Sequence, residues 1–128
     1  MNAVHQKIAG IGYRAGASEA SLEAALSAAG GVDGITALAS IEGKAEGAPM
    51  IALAARLGLP VICVSEAALA AQETLTQSDR IRRMHGTGSV AEAAALSACG
   101  PGARLLAPRA TSHDRMATAA IAVSGDHP

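Results

Sequence analysis

Three times within its first 72 residues the chain passes from a short apolar run, through a turn, into a segment with helical spacing. That alternation confines it to helices packed on a largely parallel sheet, because parallel neighbours need a crossover connection. The run Lys7 to Gly12 is expected as a first strand. Ser18 then caps a helix in which Leu22, Ala25, Leu26 and Ala29 share one face, ending at Gly30 and Gly31. ITALAS, residues 35 to 40, is a second strand, followed by a helix showing Met50, Leu53, Ala54 and Leu57 on one face and closed by Gly58. PVICV, residues 60 to 64, is rich in β-branched residues and is expected as a buried third strand, after which Ser65 opens the alanine-rich helix EAALAAQ.

The second half continues the pattern with more polar punctuation. TLTQS is expected as a loop, and Ser78 as the cap of a short basic helix, DRIRRMH, whose face of Arg80, Arg82 and Arg83 is either solvated or meets substrate carboxylates or a partner. Ser89 and Glu92 have the spacing of a capping box, which starts a helix running through Leu96 to Gly100 and Pro101. ARLLA, residues 103 to 107, is expected as a strand and PRATSHDR as a polar loop. ATAAIAV, residues 117 to 123, suits either helix or strand. The short loop before it favours an antiparallel strand at a sheet edge. No linker or repeat interrupts the order. The expected fold is α/β: a single three-layer domain over residues 1–128, its core spanning about 8 to 123, with a mostly parallel sheet, helices on both faces and an antiparallel edge strand.

Composition narrows the function classes. Half of the 128 residues are hydrophobic, yet Tyr13 is the only aromatic and alanine supplies much of the rest. Small side chains imply close approach of helix to sheet, and they leave no platform for stacking bases. A formal net charge of −1 provides no broad field for nucleic acid or an anionic membrane, so any anion recognition must be local. The N-terminal MNAVHQK lacks an apolar signal core, and the longest apolar stretch, PMIALAA, is cut by Arg56, which points to a cytoplasmic protein. Cys63 and Cys99 are expected as buried free thiols. His5, His85, His113 and His127 fall at no metal-ligand spacing, so neither metal nor cofactor is expected.

GIGYRAGAS, residues 10 to 18, is the candidate anion seat. Gly10, Gly12 and Gly16 form an elbow ahead of a helix start, with Arg14 beside it, and Gly12 is expected to need a positive φ. The spacing G-x-G-x-x-x-G and the Ala39-Ser40 end of the second strand argue against a dinucleotide site, and no P-loop motif occurs. An ordinary tight turn is the competing reading. Further polar groups follow the other strands: Ser40, Glu42, Lys44 and Glu46; Ser65 and Glu66; then Arg109, Thr111, Ser112, His113 and Asp114. The competing reading for these is that they are solvated loop charges. His113 beside Asp114 would serve proton transfer only with Ser112 or a substrate in reach.

GIGYRAG, ASIEGKAEG, GTGSVAEAAAL and TAAIA, in that order and at these separations, resemble the cobalamin-biosynthesis family of CobE and the C-terminal domain of CbiG. The resemblance implies a role in assembling the corrin ring of vitamin B12, as a stand-alone protein of the aerobic route, with a precorrin or corrin intermediate as ligand and other enzymes of the pathway as possible partners. It places the site at Gly10, Gly12 and Arg14, at Ser40, Lys44 and Glu46, and at Glu92 and Thr118. Ala15 stands where a second basic residue is common among relatives, and Arg109 stands where many carry lysine. Glu92 has the competing role of completing its capping box.

Precorrins carry acetate and propionate arms around a flat ring, and Arg14, Lys44 and Arg109, with glycine N–H groups and an alanine-rich surface, match such a ligand. Two function classes stand. One is a hydrolase, or a hydrolase subunit, of the cobalt-precorrin-5A lactone-opening type, with Glu42, Glu46 or His113 as proton carriers. The other is a protein that binds an intermediate and hands it on. The absence of a nucleophile, base and orienter set favours binding. An α/β enzyme for some other polycarboxylate or phosphate is the alternative outside the family.

Overall fold

The computed structural model describes residues 6–69, 87–100, 102–107 and 109–124. Six strands form one sheet: β1 (Lys7–Tyr13), β2 (Ala37–Ile41), β3 (Val61–Val64), β4 (Arg104–Leu105), β5 (Ala110–Thr111) and β6 (Ala117–Val123). The order across the sheet is β3-β2-β1-β6-β4, with β5 also paired to β6. β1, β2 and β3 are parallel, whereas β6 runs antiparallel to β1 in a seven-residue register from Lys7 opposite Val123 to Tyr13 opposite Ala117. The helices are α1 (Glu19–Ala29), α2 (Ala48–Leu57) and α3 (Thr87–Cys99).

Period-two alternation along β1 assigns its two faces. Ala9, Ile11 and Tyr13 join Leu22 and Leu26 of α1 and Met50 and Leu53 of α2 in one core. Ile8 points the other way, with Ala37, Ala39 and Val64, against Ala94 of α3. Helices therefore cover both faces. Ser18 caps α1 by accepting the Ser21 N–H at 3.2 Å, and Gly58 closes α2, both as expected. Arg56 of α2 ties the helices together through Glu19 and Glu23 of α1. A helical turn opens at Ser65, whose hydroxyl accepts the Ala68 N–H.

Several expectations need correction. The first strand runs on to Tyr13, so Gly10 and Gly12 lie inside it rather than in the elbow. β3 is an edge strand, with Val61 and Ile62 half-buried and Cys63 exposed; Val61 packs on one face and Ile62 and Val64 on the other, but β2 is its only strand neighbour among the described residues. β6 is antiparallel, but β4 and β5 pair along its outer side, so it is interior to the sheet. ARLLA contributes only Arg104–Leu105, and β5 arises inside the expected polar loop. α3 begins at Thr87, which puts Ser89 within the helix and removes the capping box. Cys99 is half-buried. The basic helix with Arg80, Arg82 and Arg83, the end of EAALAAQ, and His5, His85 and His127 lie outside the described residues.

Candidate functional site

Strand directions bring the polar loops to one edge. The C-terminal ends of β1, β2 and β3 lie level with the start of β6, and β5 delivers the 112–116 hairpin tip to that same edge, because Thr111 pairs with Thr118. α1 and α2 begin there. α3 does too, since Ala91 and Ala95 lie over Gly10 while Cys99, at its far end, reaches the Gln6 carbonyl at the opposite edge. In open α/β sheets this is the edge at which ligands bind, and helix starts favour negative charge.

The first corner joins two of the quoted blocks. Tyr13, only 6% exposed, donates its hydroxyl to the Lys44 carbonyl at 2.6 Å, and the Lys44 ammonium sits 4.7 Å from the centre of the Tyr13 ring. That distance is within cation–π range. A side chain on Gly47 would overlap the Tyr13 hydroxyl and force the phenol to shift. Burial, then the charge of Glu46, push the phenol's pKa up, so it remains a neutral donor. Glu46 itself closes the loop: one carboxylate oxygen accepts the Gly43 N–H at 2.9 Å and the other accepts the Cys63 thiol at 3.5 Å. Desolvation, that hydrogen bond and the charges of Glu46 and Glu42 push the Cys63 thiol up, the opposite of an activated nucleophile. Glu42 is exposed.

The second corner is the elbow against the hairpin tip. Arg14 is exposed; its N–H donates to the Met116 carbonyl at 2.9 Å, and its own carbonyl accepts the Ala17 N–H. Gly16, at φ 90°, supplies the left-handed residue that this tight turn requires. Gly12 shows no positive φ and pairs with Thr118 inside the sheet. A carboxylate of the protein's own stands at the start of α1: Asp114 accepts the Ser21 hydroxyl at 2.6 Å, the Ser112 hydroxyl at 2.5 Å and the Met116 N–H at 3.0 Å. The Ser112 hydroxyl, then Ser21, then the Met116 N–H hold Asp114 down to about 2. Asp114 is therefore a structural clamp, with no hydrogen bond to His113 among the described residues, and the His113–Asp114 dyad does not form.

The remaining expected site residues lie deeper. Gly10 is buried under α3: a Cβ there would sit 2.6 Å from the Ala95 nitrogen and closer still to the Ala91 carbonyl. Its missing side chain seats a helix and exposes no N–H to a ligand. Ser40 is fully buried and donates to the Ile11 carbonyl at 2.7 Å, a tie between β2 and β1. Thr118 is buried in β6 opposite Gly12. Arg109 precedes β5, away from the tip. Its N–H donates to the Glu92 carboxylate at 3.1 Å and its guanidinium lies 4.0 Å from the same group, so Glu92 holds a neighbouring segment in place of a helix cap. Of the three expected cations, Arg14 and Lys44 stand at the edge without ion pairs among the described residues.

Sequence reasoning missed Arg115, which adopts φ 64° at the hairpin tip, and the Ser21–Asp114 clamp. The Ser112-x-Asp114 spacing is a turn signal that was open to reading. Its partner on α1 is 93 residues away and leaves no local trace.

Sheet order, helix placement and the gathering of polar loops at one edge define an open-sheet α/β protein with polar loops at the carboxyl ends of its parallel strands. The family described as Cobalamin synthesis G C-terminus matches residues 7–122, and the chain belongs to it. The crystal structure of CobE, a protein from the cobalamin (vitamin B12) biosynthetic pathway, is 33% identical over 96% of this chain and 93% of that one, with a TM-score of 0.73. The cobalamin biosynthesis protein chiG from Agrobacterium tumefaciens str. C58 is 39% identical over 94% and 99%, with a TM-score of 0.70. No curated protein matches the chain. The protein is thus one of cobalamin biosynthesis, as the four sequence blocks implied.

Proposed function

We propose that the protein binds a precorrin or corrin intermediate through the ligand's carboxylate arms and carries it without converting it. The observation that carries this reading is the meeting of the first two sequence blocks at one edge, with Arg14 and Lys44 left without ion pairs among the described residues. Separated cations suit a ligand with several carboxylates. Carriage is preferred to hydrolysis because Glu46 is engaged by Gly43 and Cys63, and the Cys63 thiol is held protonated. The aerobic route, a cytoplasmic location and hand-over to other enzymes of the pathway belong to the same proposal and rest on the likeness to CobE.

The test is titration with successive precorrin and corrin intermediates, followed by visible spectrum and product mass. Binding at micromolar affinity or better is expected, weakening as salt rises, since exposed charges are screened over about 8 to 10 Å at physiological strength. Sub-stoichiometric protein should leave the substrate mass unchanged. Many turnovers by the protein alone would replace carriage with the lactone-opening hydrolase, and silence toward every intermediate would end the corrinoid reading.

A further inference from the structure

The β5–β6 hairpin tip encloses an open cleft of about 550 Å³ lined by Thr111, Ser112, His113 and Arg115. Its volume is within the range of small-molecule sites. The lining offers a guanidinium, an imidazole and the Thr111 hydroxyl; it contains no carboxylate, and the charge of neighbouring Asp114 acts on His113. The acid in the same loop, Asp114, is turned to Ser21, Ser112 and the Met116 N–H. Ser112, 2% exposed, forms the fixed floor: its hydroxyl donates to Asp114 and accepts the Ala117 N–H at 3.1 Å.

Arg115 has two properties that a solvated loop arginine does not need. Among the described residues it is the one non-glycine with positive φ, a conformation disfavoured for a side-chain-bearing residue and held here by its N–H on the Ser112 carbonyl at 2.8 Å. Neither its guanidinium nor the His113 imidazole has an ion pair or hydrogen bond among the described residues. The adjacent Met116 carbonyl accepts the Arg14 N–H, so the backbones bearing Arg14 and Arg115 meet at one corner. We infer that Arg115 and His113 form a seat for a ligand carboxylate, next to the one at Arg14, so that two arms of one polycarboxylate are held side by side. This rests on the proposed carboxylate-binding function of the edge. A planar guanidinium takes a carboxylate through two parallel hydrogen bonds, and the hydrogen bonds of the tip fix the backbone from which Arg115 projects. Asp114 is a positioning residue in this arrangement.

The experiment uses the full chain and uroporphyrin, an octacarboxylate porphyrin, as the probe, followed by its absorbance and by calorimetry. Arg115→Ala should weaken binding roughly tenfold or more. Arg115→Gly keeps the left-handed tip without strain; it should melt at or above the parent temperature and weaken binding to the same degree. His113→Ala should weaken binding several-fold. Parent-like affinity in Arg115→Gly, alongside a loss in Arg14→Ala, would overturn the second seat and leave the proposed function standing. A parent protein that does not bind uroporphyrin would overturn the carboxylate reading of the whole edge, and this seat with it.

Discussion

Gly10→Ala tests whether the first glycine of the elbow motif exists for a helix or for a ligand. The added Cβ would lie 2.6 Å from the Ala95 nitrogen, closer to the Ala91 carbonyl oxygen, and 3.0 Å from the Ala95 Cβ. The two nearest atoms are backbone, so no rotamer change makes room and α3 as a whole must lift by about 1 Å. Ala91, Ala94 and Ala95, all fully buried, carry that helix's packing face. A gap of this size forfeits about a quarter to a half of each contact's attraction. The expected loss is about 3 kcal/mol, the upper part of the overpacking range. For a chain of this length that lowers the melting temperature by roughly 10 °C. Thermal melting followed by far-ultraviolet circular dichroism reads the effect. Adding Ala95→Gly to the variant should restore little, because it removes only the 3.0 Å neighbour. A Gly10→Ala protein that melts within about 2 °C of the parent would refute the close seating of α3. A drop in ligand affinity at parent stability would return Gly10 to the binding site.

Arg14→Ala should melt like the parent, since the side chain is exposed and has no ion pair among the described residues, and should lose roughly tenfold or more in affinity for a corrin intermediate; parent-like titration would show the elbow to be only a turn. Asp114→Asn should melt below the parent at neutral pH. The carboxyl of Asp114 is depressed from its usual 3.8 to about 2, so its stabilisation is present above pH 4 and disappears as pH falls through about 2. The gap between the two melting temperatures should therefore narrow over that interval, and a gap at pH 2 as wide as at neutral pH would contradict the clamp. Exposed Cys63 should alkylate more slowly at neutral pH than an unperturbed thiol, and faster in Glu46→Gln, by mass mapping that separates it from Cys99; equal rates would show that Glu46 does not hold the thiol.

The first three strands and two helices were legible because local chemistry writes them: β-branched and alternating runs, the Ser18 cap and the Gly58 stop all act within a few residues. β5 was not legible, since Ala110–Thr111 is a strand only because β6 lies beside it. Ser89 and Glu92 show the converse failure. Their spacing satisfies a local rule, but α3 starts two residues earlier and Glu92 is taken by Arg109 across the fold. At the site, Arg14 and Lys44 were readable as charged residues after strand ends. Ser40 looked equivalent, and only its position facing the Ile11 carbonyl shows that its hydroxyl serves the sheet. Arg115 escaped notice because a left-handed arginine is set by a clamp whose other half is in α1.

Tyr13 also decides how the protein can be observed. With no tryptophan and no other tyrosine, the molecule's emission near 300 nm arises from one phenol, and that phenol lies under the Lys44 ammonium with its hydroxyl on the Lys44 carbonyl. Anything that draws Lys44 off the ring changes the surroundings of the sole emitter. Unlabelled protein therefore carries a built-in fluorophore at the corner where the two sequence blocks meet, with no second aromatic elsewhere to dilute its signal.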